Sequence, residues 1–232
     1  MKKAKPKAVS SWSSGKDSCL ACFEAMQKGY EIKYLLNFIS KESQRGCFHG
    51  IDRGLMQSQA SCIGIPIIQK EVTADMKRYE EEFIEAMKEI RALGVKTAIF
   101  GDIYLDEHKL WVERVCKDAG IKPIEPLWNR DTTAILERFI DLGFKAVVVS
   151  AQADKFDKDL VGTILDKKTL RWLKRKNICP CGENGEFHTL VIDGPIFKKR
   201  IEIIKSKSIL KEGFWKYWFL DIQEYRTTTK AE

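Results

Sequence analysis

The alternation of strand-like and helix-like segments in the first half of the chain constrains its fold more than any other feature. Short apolar runs with the composition of buried strands lie at 7–12, 32–39, 63–68, 96–100 and 121–125. Segments with apolar residues at three- and four-residue steps predict helices at 17–28, 52–62, 76–90 and 106–119. This alternation predicts a parallel sheet with helices on both faces, which binds ligands at the carboxyl ends of its strands.

The second half of the chain has a different texture. It predicts a helix, a strand and a basic helix, followed by two aromatic-rich strands of a hairpin, at 132–142, 145–150, 166–176, 201–210 and 214–225. Pro123 and Pro126 bracket a plausible boundary. We therefore predict an α/β domain over residues 1–125 and a smaller α+β domain over 126–232.

Composition and charge exclude several classes of protein. The formal net charge is +7, but four of the positive charges belong to lysines in the first seven residues, so the remainder is nearly balanced and gives little support for nucleic-acid binding. No apolar run approaches the roughly 18 residues that span a bilayer. Seven cysteines, an odd number, do not suit a secreted disulfide scaffold. We expect a soluble cytoplasmic protein without membrane contact.

The segment Ser13-Ser14-Gly15-Lys16-Asp17-Ser18 lies where the first strand ends and the first helix begins. Gly15 allows a tight turn close to an anion, and the helix start offers free N–H groups. The spacing is not that of a Walker A loop, since Asp17 follows the lysine. A carboxylate there suits a loop that holds Mg²⁺ beside a phosphate, or one that caps the helix. An ordinary capping turn is the alternative, and the position at the first strand–helix junction favours the nucleotide site.

This segment resembles the S-G-G-K-D-S loop of the PP-loop ATP pyrophosphatases, with Ser14 in place of the first glycine. The resemblance implies a Rossmann-like doubly wound sheet of the adenine nucleotide alpha hydrolase-like (HUP) type. It also implies that ATP is cleaved to AMP and pyrophosphate, with the loop on the β- and γ-phosphates.

Further strings narrow the resemblance to the diphthine–ammonia ligase family, in its minimal archaeal-type form. They are Phe48-His49-Gly50, Gly101-Asp102-Ile103, Pro126-Leu127-Trp128-Asn129-Arg130-Asp131 and Gly182-Glu183-Asn184-Gly185-Glu186-Phe187-His188-Thr189. The resemblance implies that diphthine on translation elongation factor 2 is adenylated by ATP with Mg²⁺, then attacked by ammonia to give diphthamide. Free ammonium is the expected nitrogen source, because no Cys–His pair suggests a glutaminase. The assembly expected, if the chain is not a monomer, is a homodimer.

The candidate site residues follow from these strings. We expect catalytic roles for Lys16, Asp17, Glu186 and His188, with Asp17 also on the metal. We expect the nucleotide to contact Ser13, Ser14, Gly15, Lys16, Asp17, Ser18, Asn37, Phe38, His49, Gly101 and Asp102. We expect the acceptor to contact Glu183, Asn184, Gly185, Glu186 and His188, where Glu186 or His188 orients ammonia or takes its proton. Simpler interpretations are a loop histidine at 49, a turn cap at 102 and a tight turn at 182–188.

Two other features leave alternatives open. The pairs Cys19–Cys22 and Cys179–Cys181, with the basic charge, would suit a PP-loop enzyme that modifies tRNA, such as a thiolase or a lysidine-type ligase. A nucleotide-sensing protein similar to the universal stress proteins is a third class, and Lys16, Asp17 and the acidic 183–188 segment argue against it. Six cations in the ten residues from Lys167 to Lys176 form either a solvated helix face or a surface that docks the elongation factor.

Overall fold

The computed structural model describes residues 5–47, 49–73, 75–212 and 216–230, without the side chain of Met76. In this part of the chain the strands are β1 (Lys7–Ser11), β2 (Glu31–Ser40), β3 (Ile67–Val72), β4 (Thr97–Ile99), β5 (Lys122–Ile124), β6 (Lys145–Gln152), β7 (Phe187–Asp193), β8 (Lys199–Glu212) and β9 (Lys216–Thr229). The α-helices are α1 (Lys16–Gln27), α2 (Arg53–Ile63), α3 (Met76–Ala92), α4 (Asp106–Ala119), α5 (Thr132–Asp141) and α6 (Lys167–Arg175). A short 3-10 helix spans Lys158–Leu160.

The chain forms two compact units that are discontinuous in sequence. The first unit comprises Met1–Ser13, Asp17–Cys47 and Ile65–Asn129, and the second comprises Ser14–Lys16, Phe48–Gly64 and Arg130–Glu232. Each unit contains its own sheet. That a nucleotide-binding part ends at residue 125 and a part with another role begins at residue 126 stays a prediction.

A five-stranded parallel sheet forms the centre of the first unit, in the order β3-β2-β1-β4-β5. The order reverses at β1, which lies between β2 and β4, and a ligand of such a sheet binds where the order reverses. Helix α3 buries Phe83, Met87 and Ile90 at helical spacing against Val9, Leu36 and other strand residues. The predicted Rossmann-like parallel sheet with flanking helices is confirmed.

A four-stranded antiparallel sheet forms the centre of the second unit, in the order β7-β6-β9-β8. The predicted hairpin is confirmed as the pair β8–β9, and its predicted turn residue Gly213 lies outside the described residues. Helix α6 buries Leu170 and Leu173, while its cations face outward. A separate antiparallel sheet in the C-terminal part of the chain, as the predicted α+β part requires, is therefore confirmed.

Two elements differ from the predictions. The strand predicted at 63–68 begins four residues later, because Ile63 ends α2 and Gly64 closes that helix in the left-handed region at φ 82°. Strand β7 was not predicted as an element. Among the described residues, no helix combines the length and apolarity that a bilayer span requires.

Candidate functional site

The loop that joins β1 to α1 contains an unusual backbone conformation at Ser14. Its φ is 70°, in the left-handed region that glycine adopts without strain. The residue is fully buried, and its hydroxyl has no hydrogen-bond partner in the described part of the chain. The string that the loop resembles has glycine here. A serine thus stands where that string has glycine, in a backbone conformation that favours glycine.

Within the second unit, strand β7 and helix α2 hold the segment Ser14–Lys16. The Ser14 carbonyl accepts hydrogen bonds from Val191 N at 2.9 Å and from Gln59 Nε2 at 3.0 Å. The same Gln59 amide donates to the Val191 carbonyl at 2.7 Å. The hydroxyl Oγ1 of Thr189 accepts from Lys16 N at 3.0 Å. Four hydrogen bonds therefore fix the segment and its anchoring strand.

The side chain of Lys16 is buried in the same unit. Its ammonium donates to the carbonyl of Cys181 and lies 5.4 Å from the centroid of the Phe187 ring. A carbonyl and an aromatic face both stabilise a cation removed from water. Cys181, just before the predicted acceptor segment, and Phe187, within it, therefore hold the loop lysine.

In the first unit, Gly101 lies directly against the start of α1. A Cβ added to Gly101 would lie 2.8 Å from both the carbonyl carbon of Asp17 and the backbone nitrogen of Ser18. The Ser13 and Ser18 hydroxyls are 3.1 Å apart. The neighbouring Asp102 carboxylate lies 3.3 Å from His108 Nδ1. The end of β4 thus meets the Asp17 end of the segment Ser13–Ser18 (the phosphate loop), as the topology of the sheet requires.

Asn37 and Phe38, at the end of β2, have different surroundings. The Asn37 side chain is buried and donates to the Trp12 carbonyl at 2.8 Å, which ties β2 to the residue before the loop. Phe38 stacks on Phe83 at 4.9 Å between ring centroids and belongs to the core of the first unit. Its side chain is thereby committed to packing, and its predicted adenine contact stays a prediction.

The predicted acceptor segment forms a tight turn before β7. Gly182 and Gly185 have φ values of 67° and 76°, and a Cβ at Gly182 would lie 2.7 Å from the Phe187 carbonyl oxygen. The buried Glu186 carboxylate accepts from Asn184 N at 3.0 Å and from Asn184 Nδ2 at 3.1 Å. Both carboxylate oxygens of Glu186 therefore order the turn itself.

His49 and His188 form a ring pair in the second unit, with ring centroids 4.7 Å apart and ring planes tilted by 38°. Burial lowers the pKa of His49 to about 4, partly offset by its contact with the Thr189 carbonyl. Burial, then the neighbouring His49 and Lys16, lower the pKa of His188 well below its usual value. His49 Nδ1 lies 3.0 Å from that carbonyl oxygen, which can only accept, so the neutral ring carries its proton on Nδ1. Its Nε2 is left as an acceptor.

The paired cysteines have surroundings that suppress thiolate chemistry in the first unit. Cys19 and Cys22 are fully buried in α1. Burial raises the pKa of Cys22 to about 12 and that of Cys19 well above its usual value. In the second unit, the thiol Sγ of Cys181 donates to the Thr132 carbonyl at 3.4 Å. Across the described ranges, no group of three or more His, Cys, Asp or Glu side chains is arranged to hold a metal ion.

The structure thus brings the predicted residues together as two clusters. Ser13, Asp17, Ser18, Gly101 and Asp102 adjoin in the first unit. Ser14 and Lys16 adjoin the β7 segment in the second, as does His49. Gln59 and Thr189 were missed, although a glutamine on the apolar stripe of α2 was a signal for Gln59. A parallel α/β sheet with this loop between its first strand and first helix defines a PP-loop protein.

Family models identify the branch of that class. The model of the diphthamide synthase N-terminal domain matches residues 6–123, and the model of the C-terminal domain matches residues 131–228. The chain belongs to the diphthamide synthase family.

Individual relatives named diphthine–ammonia ligase are similar over most of the chain. The protein from Danio rerio is 25% identical, over 95% of this chain and 96% of the relative. The Homo sapiens protein is 25% identical, over 85% of this chain and 83% of the relative. The Schizosaccharomyces pombe protein is 24% identical over 91% of this chain, which spans only 38% of that longer relative.

Solved structures give weaker similarities. A predicted subunit of a tRNA methyltransferase from Methanocaldococcus jannaschii has a TM-score of 0.45 and 15% identity, over 82% of this chain and 98% of that one. A 4-thiouridine synthetase in complex with RNA and bound ATP has a TM-score of 0.43 and 14% identity, over 81% of this chain and 55% of that one. Both TM-scores are below 0.5.

Proposed function

We propose that the chain is an ATP-dependent amide ligase that converts diphthine on translation elongation factor 2, with ammonia, to diphthamide. An oxygen of the diphthine carboxylate attacks the α-phosphorus of ATP, and the bond from that phosphorus to the bridging oxygen of pyrophosphate breaks. Ammonia then attacks the acyl carbon and a C–N bond forms. The bond from that carbon to the bridging oxygen breaks, and AMP leaves with this former carboxylate oxygen. One proton passes from the nitrogen to a base.

Membership of the diphthamide synthase family, over both parts of the chain, is the observation that carries this proposal. The loop between β1 and α1 supports it, because its left-handed turn and helix start provide an anion site where nucleotides bind such sheets. A carboxylate is a poor electrophile and an acyl-adenylate is a good one. The enzyme therefore acts mainly by positioning its substrates and neutralising their charge.

We assign nucleotide binding to residues 1–125, with the polyphosphate at Ser13, Gly15, Lys16 and Ser18. Ser14 contributes the turn, and His49 and Asn37 help to frame the nucleotide. Carboxylate oxygens are the ligands that Mg²⁺ prefers, and it needs only one or two of them when phosphates complete its shell. Asp17 and Asp102 supply such oxygens, and Gly101 places the end of β4 against Asp17. When bound, Mg²⁺ neutralises the phosphate charge.

We assign acceptor binding to residues 126–232, with the turn 183–186 facing diphthine. Glu186 orders Asn184 and Gly185 for that contact. His188 is the base that takes the proton from the attacking nitrogen, since burial keeps its ring neutral. The tilted ring of His49 contacts that of His188 and holds its orientation.

The outward cations of α6 provide a surface for the protein acceptor in this proposal. Lys168, Arg171, Lys174 and Arg175 are partly or fully exposed along one short helix. Translation factors act in the cytoplasm, and we propose that the ligase acts there as well. A homodimer is the assembly we propose.

Mass spectrometry tests the activity directly. The purified protein is incubated with diphthine-bearing elongation factor 2, ATP, Mg²⁺ and ammonium, and the acceptor peptide is measured. We expect conversion of the carboxylate to the amide together with release of AMP and pyrophosphate. Undermodified tRNA replaces the elongation factor in a parallel reaction. AMP release with tRNA alone, or no amide with the elongation factor, overturns the proposal.

A further inference from the structure

We infer that Thr189 and Gln59 are positioning residues of the phosphate loop, which they hold in the shape that binds nucleotide. The inference rests on the proposed binding of ATP by that loop. Neither residue belongs to the loop or to the residues for which a role was predicted: Gln59 lies outside every string that carries the family resemblance, and Thr189 ends the 182–189 string without a predicted role. Both reach it within the second unit, from β7 and from α2.

Thr189 acts on the first residue of α1. The first N–H groups of a helix have no partner within the helix, and a side chain that accepts from one of them fixes where the helix begins. Here the acceptor is Thr189 Oγ1, 173 residues away in sequence from Lys16, and it is buried. The hydroxyl therefore fixes the backbone of Lys16 and leaves the side chain of that lysine to other contacts.

Gln59 acts on Ser14, the strained residue that lies two positions before Lys16. The side-chain amide has two N–H bonds, and it donates to two carbonyls, those of Ser14 and Val191. The Ser14 carbonyl also accepts from Val191 N, so both of its lone pairs are used. Gln59 is fully buried, and hydrogen bonds are electrostatically stronger in such a low-dielectric interior than in water.

These bonds explain why Ser14 keeps a left-handed conformation. A non-glycine residue in this region costs about 1–3 kcal/mol and persists where its surroundings over-determine it. Three partners from two elements over-determine the segment Ser14–Lys16. A loop that is rigid before the ligand arrives loses less conformational entropy on binding. Removal of either anchor should therefore weaken nucleotide affinity beyond any effect on stability.

Calorimetric titration with a non-hydrolysable ATP analogue and Mg²⁺ tests this inference on the full chain. Thr189→Val keeps the side-chain shape and removes the acceptor, whereas Thr189→Ser keeps the hydroxyl. We expect Thr189→Val and Gln59→Met each to weaken binding about tenfold, and Thr189→Ser to stay within about threefold of wild type. Thr163→Val is the control, because the Thr163 hydroxyl also makes a hydrogen bond in the second unit, donated to the Leu160 carbonyl at 2.7 Å and not to the loop.

The outcomes separate the inference from the proposed function. Equal affinity for the analogue in Thr189→Val, Thr163→Val and wild type overturns the inference. A Thr189→Ser variant that binds as weakly as Thr189→Val also overturns it, because packing and not the hydroxyl would then determine the affinity. Should Thr189→Val fail to fold, Gln59→Met with unchanged affinity overturns the inference alone. If wild type binds the analogue and the variants weaken it, yet no amide forms, only the proposed acceptor chemistry falls. If wild type binds no nucleotide, both fall.

Discussion

Gly101 touches the backbone of Asp17 so closely that no other residue fits at position 101 without movement. An added Cβ would lie 2.8 Å from the Asp17 carbonyl carbon and 3.0 Å from its oxygen. Both atoms belong to the start of α1, which cannot shift without moving the phosphate loop. The requirement for glycine at the end of β4 is thus one of close approach.

We expect Gly101→Ala to impair nucleotide use more than folding. Overpacking of this kind costs about 1–3 kcal/mol, and displacement of α1 moves the loop that binds phosphate, so kcat/KM for ATP should fall at least about tenfold. Initial rates of AMP release and urea denaturation measure the two effects. Gly54→Ala is the control, since a Cβ there meets a side-chain oxygen of Asp52 at 3.2 Å and no backbone atom. An unchanged kcat/KM in Gly101→Ala would contradict the assignment.

Ser14→Gly should stabilise the protein. The left-handed conformation at φ 70° costs a non-glycine residue about 1–2 kcal/mol, and the serine hydroxyl is buried without a hydrogen-bond partner among the residues that the structure describes. The greater freedom of glycine in the unfolded chain offsets up to about 1 kcal/mol. We expect a net gain of about 1 kcal/mol in the free energy of unfolding, measured by urea denaturation. Ser14→Ala separates the two contributions, because it removes the hydroxyl and keeps the strain. A loss of stability in Ser14→Gly would contradict this account.

His49 should make stability fall at mildly acidic pH. Its folded pKa is about 4, below the usual value near 6.5, so between these values the unfolded chain binds a proton that the folded protein does not. The free energy of unfolding should therefore decrease by about 2–3 kcal/mol as pH falls through this window, and this part should be constant above pH 6.5. Urea denaturation from pH 4.5 to 7.5 measures the slope.

His49→Gln should flatten that slope, because an amide does not titrate. His188 contributes in the same direction, so part of the slope remains in the single variant. His108→Gln is the control, since the side chain of His108 is 57% exposed. A slope that is the same in wild type and His49→Gln would show that His49 is not buried as a neutral ring.

Glu186→Gln should weaken binding of the protein acceptor without changing the binding of ATP. Both carboxylate oxygens accept from Asn184, and an amide can accept only with one of its two terminal atoms. Loss of one bond of this kind should raise KM for the elongation factor about threefold to tenfold. Steady-state kinetics with each substrate varied measures the difference. Asp154→Asn, at an exposed turn residue, should leave both KM values unchanged. A change in KM for ATP alone would contradict the acceptor assignment.

Local sequence patterns predicted the first unit well. Helix α4 occupies the range 106–119 that apolar spacing and Gly120 indicate, and β2 extends the predicted run 32–39 by one residue at each end. Strand β3 was displaced because the apolar run begins inside α2, which Gly64 closes three residues before the strand begins at Ile67. Strand β7 depends on its pairing with β6, whose partners lie more than thirty residues earlier in the chain. Such pairings leave little local signal.

The same limit applies to the site. The loop Ser13–Ser18 was predictable because its residues are contiguous and its chemistry is local. Gln59 and Thr189 were not, because they meet Ser14 and Lys16 across 45 and 173 residues of sequence. The apolar stripe of α2 marks Gln59 as unusual, but the partners of Gln59 and Thr189 become apparent only when the fold brings both residues to the loop.

The anchoring of Ser14–Lys16 by β7 bears on any attempt to trim or transplant the loop. A fragment that stops before Phe187 would keep the whole hexapeptide and lose Thr189 and Val191, two of the three residues that hold it. The hexapeptide grafted onto another parallel sheet would likewise arrive without its supports. Minimal versions of this enzyme must therefore retain the seventh strand, however little of the rest they keep.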